Sequence, residues 1–195
     1  MDKRKKNSVW IVVTVFVLLV LGLVAWKLSN TLPVYPAFRK EVRTVSELRK
    51  ELDRNEDLKE IYIPDPEELG YEIKTIEITL DGRVRQSLPL DYDLILLPKE
   101  SDGLTGFGIS GGMLDTDPNR FVFNESYRGV SSQRKLSGRG ESNTIQWVEL
   151  YLKLEPYYYG IGAAFDTAGM TEEEIADQVE TVTQTLYAVA DRIID

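Results

Sequence analysis

The chain of 195 residues contains no cysteine and no histidine. Without cysteine, disulfides, thiolate metal sites, S-palmitoylation and a bacterial lipoprotein anchor are all chemically excluded. Without histidine, the usual proton switch near neutrality and the commonest metal ligand are missing, and a serine nucleophile lacks its customary base. Positive charge is scarce beyond the N-terminus. Setting aside Asp2 and the five basic residues up to Lys27 leaves 31 acidic and 18 basic groups, a net charge of −13. Such a surface repels nucleic acid and anionic head groups and favours a positive partner or a divalent cation.

Charge is absent altogether from Val9 to Trp26. A helix over that run would be roughly 27 Å long, close to the hydrocarbon core of about 30 Å. Trp10 and Trp26 stand near its ends, and Lys3, Arg4, Lys5 and Lys6 precede it, against Lys27 alone just after it. The pattern predicts a single-pass anchor over 9–28 in the cell membrane, with a cytoplasmic tail at 1–8 and the rest of the chain outside. A cleaved signal peptide has the same basic and apolar regions, with Leu23-Val24-Ala25 as a poor cleavage site. The division continues with a connector and short helix over 29–58 and an extracytoplasmic domain over 59–195.

Within that remainder, Val42, Val45, Leu48 and Leu52 recur at helical spacing and predict a short helix over 39–54, the alternative being a start nearer Thr44, where Thr44 and Glu47 have capping-box spacing. A short strand is expected at Glu60–Ile63. Tyr71–Leu80 and Val84–Leu90 flank Asp81-Gly82, a strong hairpin signal. The apolar phase changes from Tyr71 and Ile73 to Ile76, Ile78 and Leu80, which requires a bulge near Lys74. Tyr92–Leu97, Arg120–Asn124 and Thr144–Leu154 read as further strands, and the polar interval Ser131–Asn143 as a long loop or flap. At the end of the chain Thr171 and Glu174 form a capping box, and Ile175, Val179, Val182, Leu186, Val189 and Ile193 make one stripe. That stripe suits a helix covering the sheet; the alternative is a seam for an oligomer through 171–194. The fold class is therefore α+β: an N-terminal transmembrane helix, then a mainly antiparallel sheet covered by the C-terminal helix.

The glycine-rich segment Gly103–Gly112 lacks the Gly-Lys-Ser/Thr ending of a phosphate loop and the spacing of a dinucleotide fingerprint; it reads as a turn or bulged strand, the alternative being a ligand-facing loop, since glycine permits close backbone approach. Asp115, Asp117 and Asn119 offer oxygen at alternate positions, like the start of a calcium loop, but Arg120 stands where the tight turn needs glycine and Ser126 where a bidentate glutamate is needed. This leaves a weak calcium site or a surface turn, and no other cofactor is indicated. Asp91, Asp93 and Asp102 could face Glu149 or Glu155 as a hydrolytic carboxylate pair. Ser110 would need Lys99, Lys135 or Lys153 as its base. Asn124-Glu125-Ser126 fits a glycosylation acceptor.

Aromatic residues give the clearest binding signal. Alternation puts Trp147, Glu149, Tyr151 and Lys153 on one face of a strand and Val148, Leu150, Leu152 and Leu154 on the other. Trp147 and Tyr151, with Tyr157, Tyr158 and Tyr159, offer large amphipathic contact area to a polypeptide or glycan; the competing reading buries both faces. No reactive group is recognisable, so the sequence points to a membrane-anchored binding or assembly module of the cell envelope with an envelope or membrane protein as partner, no nucleic acid, and the bilayer held through 9–28. The alternatives are an anchored carboxylate-dependent hydrolase of surface polymer and a structural subunit of a larger membrane complex.

Overall fold

The computed structural model describes residues 37–82, 87–114, 121–138 and 143–195. Eight strands, β1 (Phe38–Val42), β2 (Glu72–Leu80), β3 (Pro89–Leu97), β4 (Gly106–Met113), β5 (Glu125–Tyr127), β6 (Val130–Ser137), β7 (Ile145–Leu154) and β8 (Tyr157–Asp166), join two helices, α1 (Val45–Leu52) and α2 (Glu172–Ile194). The sheet is antiparallel throughout, in the order β1-β2-β3-β4-β8-β7-β6-β5. Two four-stranded meanders thus meet along a seam between β4 and β8.

Strand parity decides what each face carries. Ile76, Leu94, Ile109, Ile161 and Leu150 lie in one row across five strands, and Ile78, Tyr92, Tyr159 and Leu152 belong to the next. All are at most 2% exposed, because both helices cover this inner face. Burying such side chains stabilises the fold by about 1.5–3 kcal/mol each. Leu48 and Leu52 of α1 join this core, as do Val182, Leu186 and Ala190 of α2. Arg49 of α1 donates to the carbonyls of Lys59 (3.0 Å) and Ile61 (2.6 Å), pinning the following connector. That connector crosses two buried tyrosines: Tyr92 donates its hydroxyl to the Tyr62 carbonyl, and the Tyr62 N–H donates to the Tyr159 hydroxyl, both at 2.9 Å. Polar atoms carried into the core are in this way satisfied.

Both helix starts follow from side-chain capping. The Glu47 N–H donates to the Thr44 hydroxyl and the Arg43 N–H to the Glu47 carboxylate; Thr171 and Glu174 exchange the same two kinds of bond at α2. At the far end of α2, Tyr127 stacks on Tyr187 and donates to Asp191, while Arg128 pairs with Asp191 and Asp195. These contacts clasp the β5–β6 hairpin to the helix.

Several expectations are corrected. No helix among the described residues is long and apolar enough to cross a membrane. The longest, α2, is amphipathic and starts with three glutamates. The segment 9–28 on which the anchor was placed lies outside the described residues. The described residues therefore supply no transmembrane helix, and the single-pass topology, the placement outside the cell membrane, the bilayer partner and the envelope functions derived from them are unsupported. What stands is an α+β sheet domain with two helices. The stripe of α2 is spent on β7 and β8 inside the domain, which removes the proposed oligomer seam over 171–194.

Residues 39–42 belong to a strand where the longer helix was expected, and α1 begins after Thr44, where the capping-box spacing had put the alternative start. Glu60–Ile63 carries no strand, since its backbone bonds to tyrosine hydroxyls. The Asp81-Gly82 hairpin is longer than two residues: Leu80 faces Pro89, not Arg83. A two-residue turn would have set Arg85 opposite Ile78 and Ser87 opposite Ile76, whereas the observed register sets Tyr92 and Leu94 there; apolar burial overrides the turn signal. Residues 83–86, the start of the expected second arm among them, lie outside the described residues. The register shift between Ile73 and Thr75 coincides with the bulge expected at Lys74. Val130–Ser137, most of it expected as loop, is strand β6, held by its pairing with β7 rather than by any apolar pattern. Phe121–Asn124 has no ladder partner in the sheet.

Candidate functional site

Outward positions of the two seam strands are small except for Tyr158 and Asp166 at the ends of β8. On β4 they are Gly106, Gly108, Ser110 and Gly112, and on β8 Gly160, Gly162 and Ala164; register pairs Gly108 with Gly162 and Ser110 with Gly160. The Ser110 hydroxyl donates across the seam to the Gly160 carbonyl at 3.4 Å. A floor two strands wide is left without bulk, on the face that neither helix covers. A groove of about 270 Å³ runs over it. One wall carries Asp93 and Ile95 of β3 with Arg39 of β1; the other carries Trp147, Glu149 and Tyr151 of β7.

The floor glycines explain how the aromatic wall lies. A β-carbon at Gly160 would stand 3.0 Å from the Tyr151 ring, and one at Gly106 would stand 3.3 Å from Trp147. Both rings lean over the floor because glycine leaves the space. Trp147 remains 38% exposed. It and Tyr151 are separated by four residues of strand, about 13 Å. Between them Glu149 is fixed by two donors, the hydroxyls of Ser137 (3.1 Å) and Tyr151 (2.9 Å), one on each oxygen. A carboxylate so held still has lone pairs for a ligand.

Across the groove Arg39 bonds Glu77 at 2.5 Å. That hydrogen bond, reinforced by the charges of Glu77, Asp93 and Asp91, raises the guanidinium pKa above its ordinary value. By register, among the described residues, Glu41, Glu77, Asp91, Asp93, Glu149 and Asp166 share the open face with Arg39, Lys135 and Lys153. Negative charge prevails there. At one end of the face a second recess, lined by Asp91, Asp93, Phe121 and Tyr158 among others, continues the first through Arg39, Ser110 and Tyr151. Phe121 packs on Tyr151 (5.0 Å) and Tyr158 (4.8 Å) and closes that end.

The sequence-designated residues are divided by this geometry. Trp147 and Tyr151 come together on the groove wall with Glu149 between them. Tyr158 faces the same side but is 4% exposed beneath Phe121. Tyr157 and Tyr159 turn to the core side, where burial pushes the Tyr159 pKa up to about 12 against the opposing hydrogen bond from the Tyr62 N–H. Asp115, Asp117 and Asn119 lie outside the described residues, and no group of three acidic side chains among the described residues is placed to hold a metal ion. Asp91 and Asp93 stand on one wall and Glu149 on the other, while Glu155 pairs with Lys153 at 2.6 Å and Asp102 falls in a short 3₁₀ turn away from the strands. For Ser110, Lys153 is engaged with Glu155 and Lys99 lies over the Tyr71 ring. Arg39, Phe121 and the floor glycines of β8 escaped sequence reasoning, whereas those of β4 fall in the segment that could have faced a ligand. One signal was present: small residues at every second position in both Gly106–Gly112 and Gly160–Ala164. Comparison with protein-family models, with curated proteins and with solved structures gives no match.

Proposed function

We propose that this domain is a non-enzymatic recognition module whose uncovered sheet face takes an extended polypeptide along the β4–β8 seam. The observation that carries the reading is the pairing of a small-residue floor, Gly108, Ser110, Gly160 and Gly162, with a wall of leaning aromatic rings. A floor without side chains admits a ligand backbone closely, and Trp147 and Tyr151 supply wide contact at little rotamer cost. Their separation of about 13 Å matches side chains four residues apart on a bound strand. Carboxylates on opposite walls and a serine bonded to backbone serve orientation in this reading, and no covalent step is invoked.

The test uses substitutions at Gly162, where an added β-carbon meets Trp147 and Glu149 only at 3.7 Å. Gly162→Ala should keep the fold, and Gly162→Val should fill the groove without a clash at Cβ. Screening the full chain against an array of short extended peptides should give binders that Gly162→Val weakens by about tenfold or more and Trp147→Ala by a similar factor. Binders indifferent to both substitutions, with circular dichroism unchanged, would overturn the proposal.

A further inference from the structure

We infer that the ligand side chain seated in the groove is cationic, a lysine or arginine of a basic polypeptide segment; this rests on the groove reading above and names its specificity. Three independent features support it. The walls hold Asp93 and Glu149 on opposite sides of the floor, and among the described residues the open face has more acidic than basic groups. The exposed face of Trp147 beside Glu149 offers an ammonium or guanidinium both a π surface and a counter-charge. The Asp93 wall already accommodates one such group, since Arg39 lies against Glu77 within the field of Asp93 and Asp91. Glu149 is held by the neutral hydroxyls of Ser137 and Tyr151, which orient the carboxylate and leave its charge uncompensated by them. A ligand of opposite charge gains both rate and register from such complementarity. A neutral glycan could stack on the rings but would bring no charge to Glu149.

The experiment measures anisotropy of three labelled peptides of equal length, alternating serine with lysine, glutamine or glutamate, together with a soluble neutral oligosaccharide, against the full chain at physiological salt. The lysine peptide should bind about tenfold or more tightly than the glutamine peptide, and the glutamate peptide should not bind. Asp93→Asn with Glu149→Gln should remove that preference, and Trp147→Ala should weaken the lysine peptide. Arg39→Gln, by removing a competing cation, should tighten it. A control that deletes equal charge on the outside of α2, Glu173→Gln with Glu180→Gln, should change affinity less than about twofold; an equal loss there would reduce the effect to bulk attraction and overturn the inference. Equal binding of lysine and glutamine peptides that Gly162→Val blocks would overturn the cationic specificity and leave the groove. Binding of the oligosaccharide alone, or of nothing, would overturn both readings.

Discussion

Along β7, Val148, Leu150 and Leu152 turn towards α2 and are at most 2% exposed, whereas the intervening Trp147, Glu149 and Tyr151 line a groove open to solvent. The same contrast crosses the seam. On the covered face β4 and β8 contribute Phe107, Ile109, Tyr159 and Ile161; on the open face they contribute glycine, serine and alanine, with Tyr158 and Asp166 only at the ends of β8. A sheet that merely exposed its second face would put charged or long polar residues there, because these cover apolar surface and oppose edge pairing. Small residues in the centre, with rings and carboxylates at the sides, make a recess instead. One face is built for stability and the other for access.

Core truncation should break the balance most. Leu94→Ala, at a fully buried position in the inner row, should cost about 2–5 kcal/mol in urea unfolding. Asp93→Ala, next along β3 but facing the groove, should cost no more than about 1 kcal/mol; equal losses would show that both faces are interior. Glycines sharpen the same contrast. A β-carbon at Gly111 would stand 2.7 Å from the buried Tyr92 ring, so Gly111→Ala should lower stability by about 1–3 kcal/mol. Gly162→Ala meets only ordinary contacts, and its thermal midpoint should move little.

Alkali should act on the covered face. Tyr159 has a folded-state pKa raised to about 12, chiefly by burial, against its ordinary value of 10.0. Its neutral form is favoured in the fold, so the stabilisation it brings is complete below about pH 10 and is lost as pH climbs through about 12. Tyr92, also buried, shifts in the same direction. Urea midpoints should therefore fall between about pH 10 and 12, less steeply in Tyr159→Phe. The smallest effect belongs to the open face: Arg39→Ala should cost about 0.2–1 kcal/mol, and added salt should shrink the difference.

Where one element carries its own periodicity, the sequence was legible. Thr171 with Glu174 and the stripe from Ile175 to Ile193 specify α2, its start and its buried side. Alternation in Ile145–Leu154 sorted β7 into its two faces, and the phase change from Ile73 to Ile76 located the bulge at Lys74. Interactions between distant segments were not legible. Val130–Ser137 has no apolar alternation, and becomes a strand because β7 offers it a ladder. Asp81-Gly82 suggested a tight hairpin, but the register was decided by which residues of β3 could meet Ile76 and Ile78. The tyrosine triplet looked like a single cluster, yet successive residues on a strand point to opposite sides, so Tyr158 parted from Tyr157 and Tyr159.

For the site, sequence supplied Trp147, Tyr151 and the carboxylates as chemical types but could not bring Arg39 to Asp93, 54 positions away. Nor could it reveal that glycines of β4 and β8 share one floor. Local backbone preference and hydrophobic period are properties of short stretches, so the chain read alone determined the acidic character, the missing thiol and imidazole chemistry, the capped α2 and the two faces of β7. Strand order, register and the uncovered seam arise from contacts between residues far apart in the chain. Only the folded sheet could decide which small residues form a floor and which side chains become its walls.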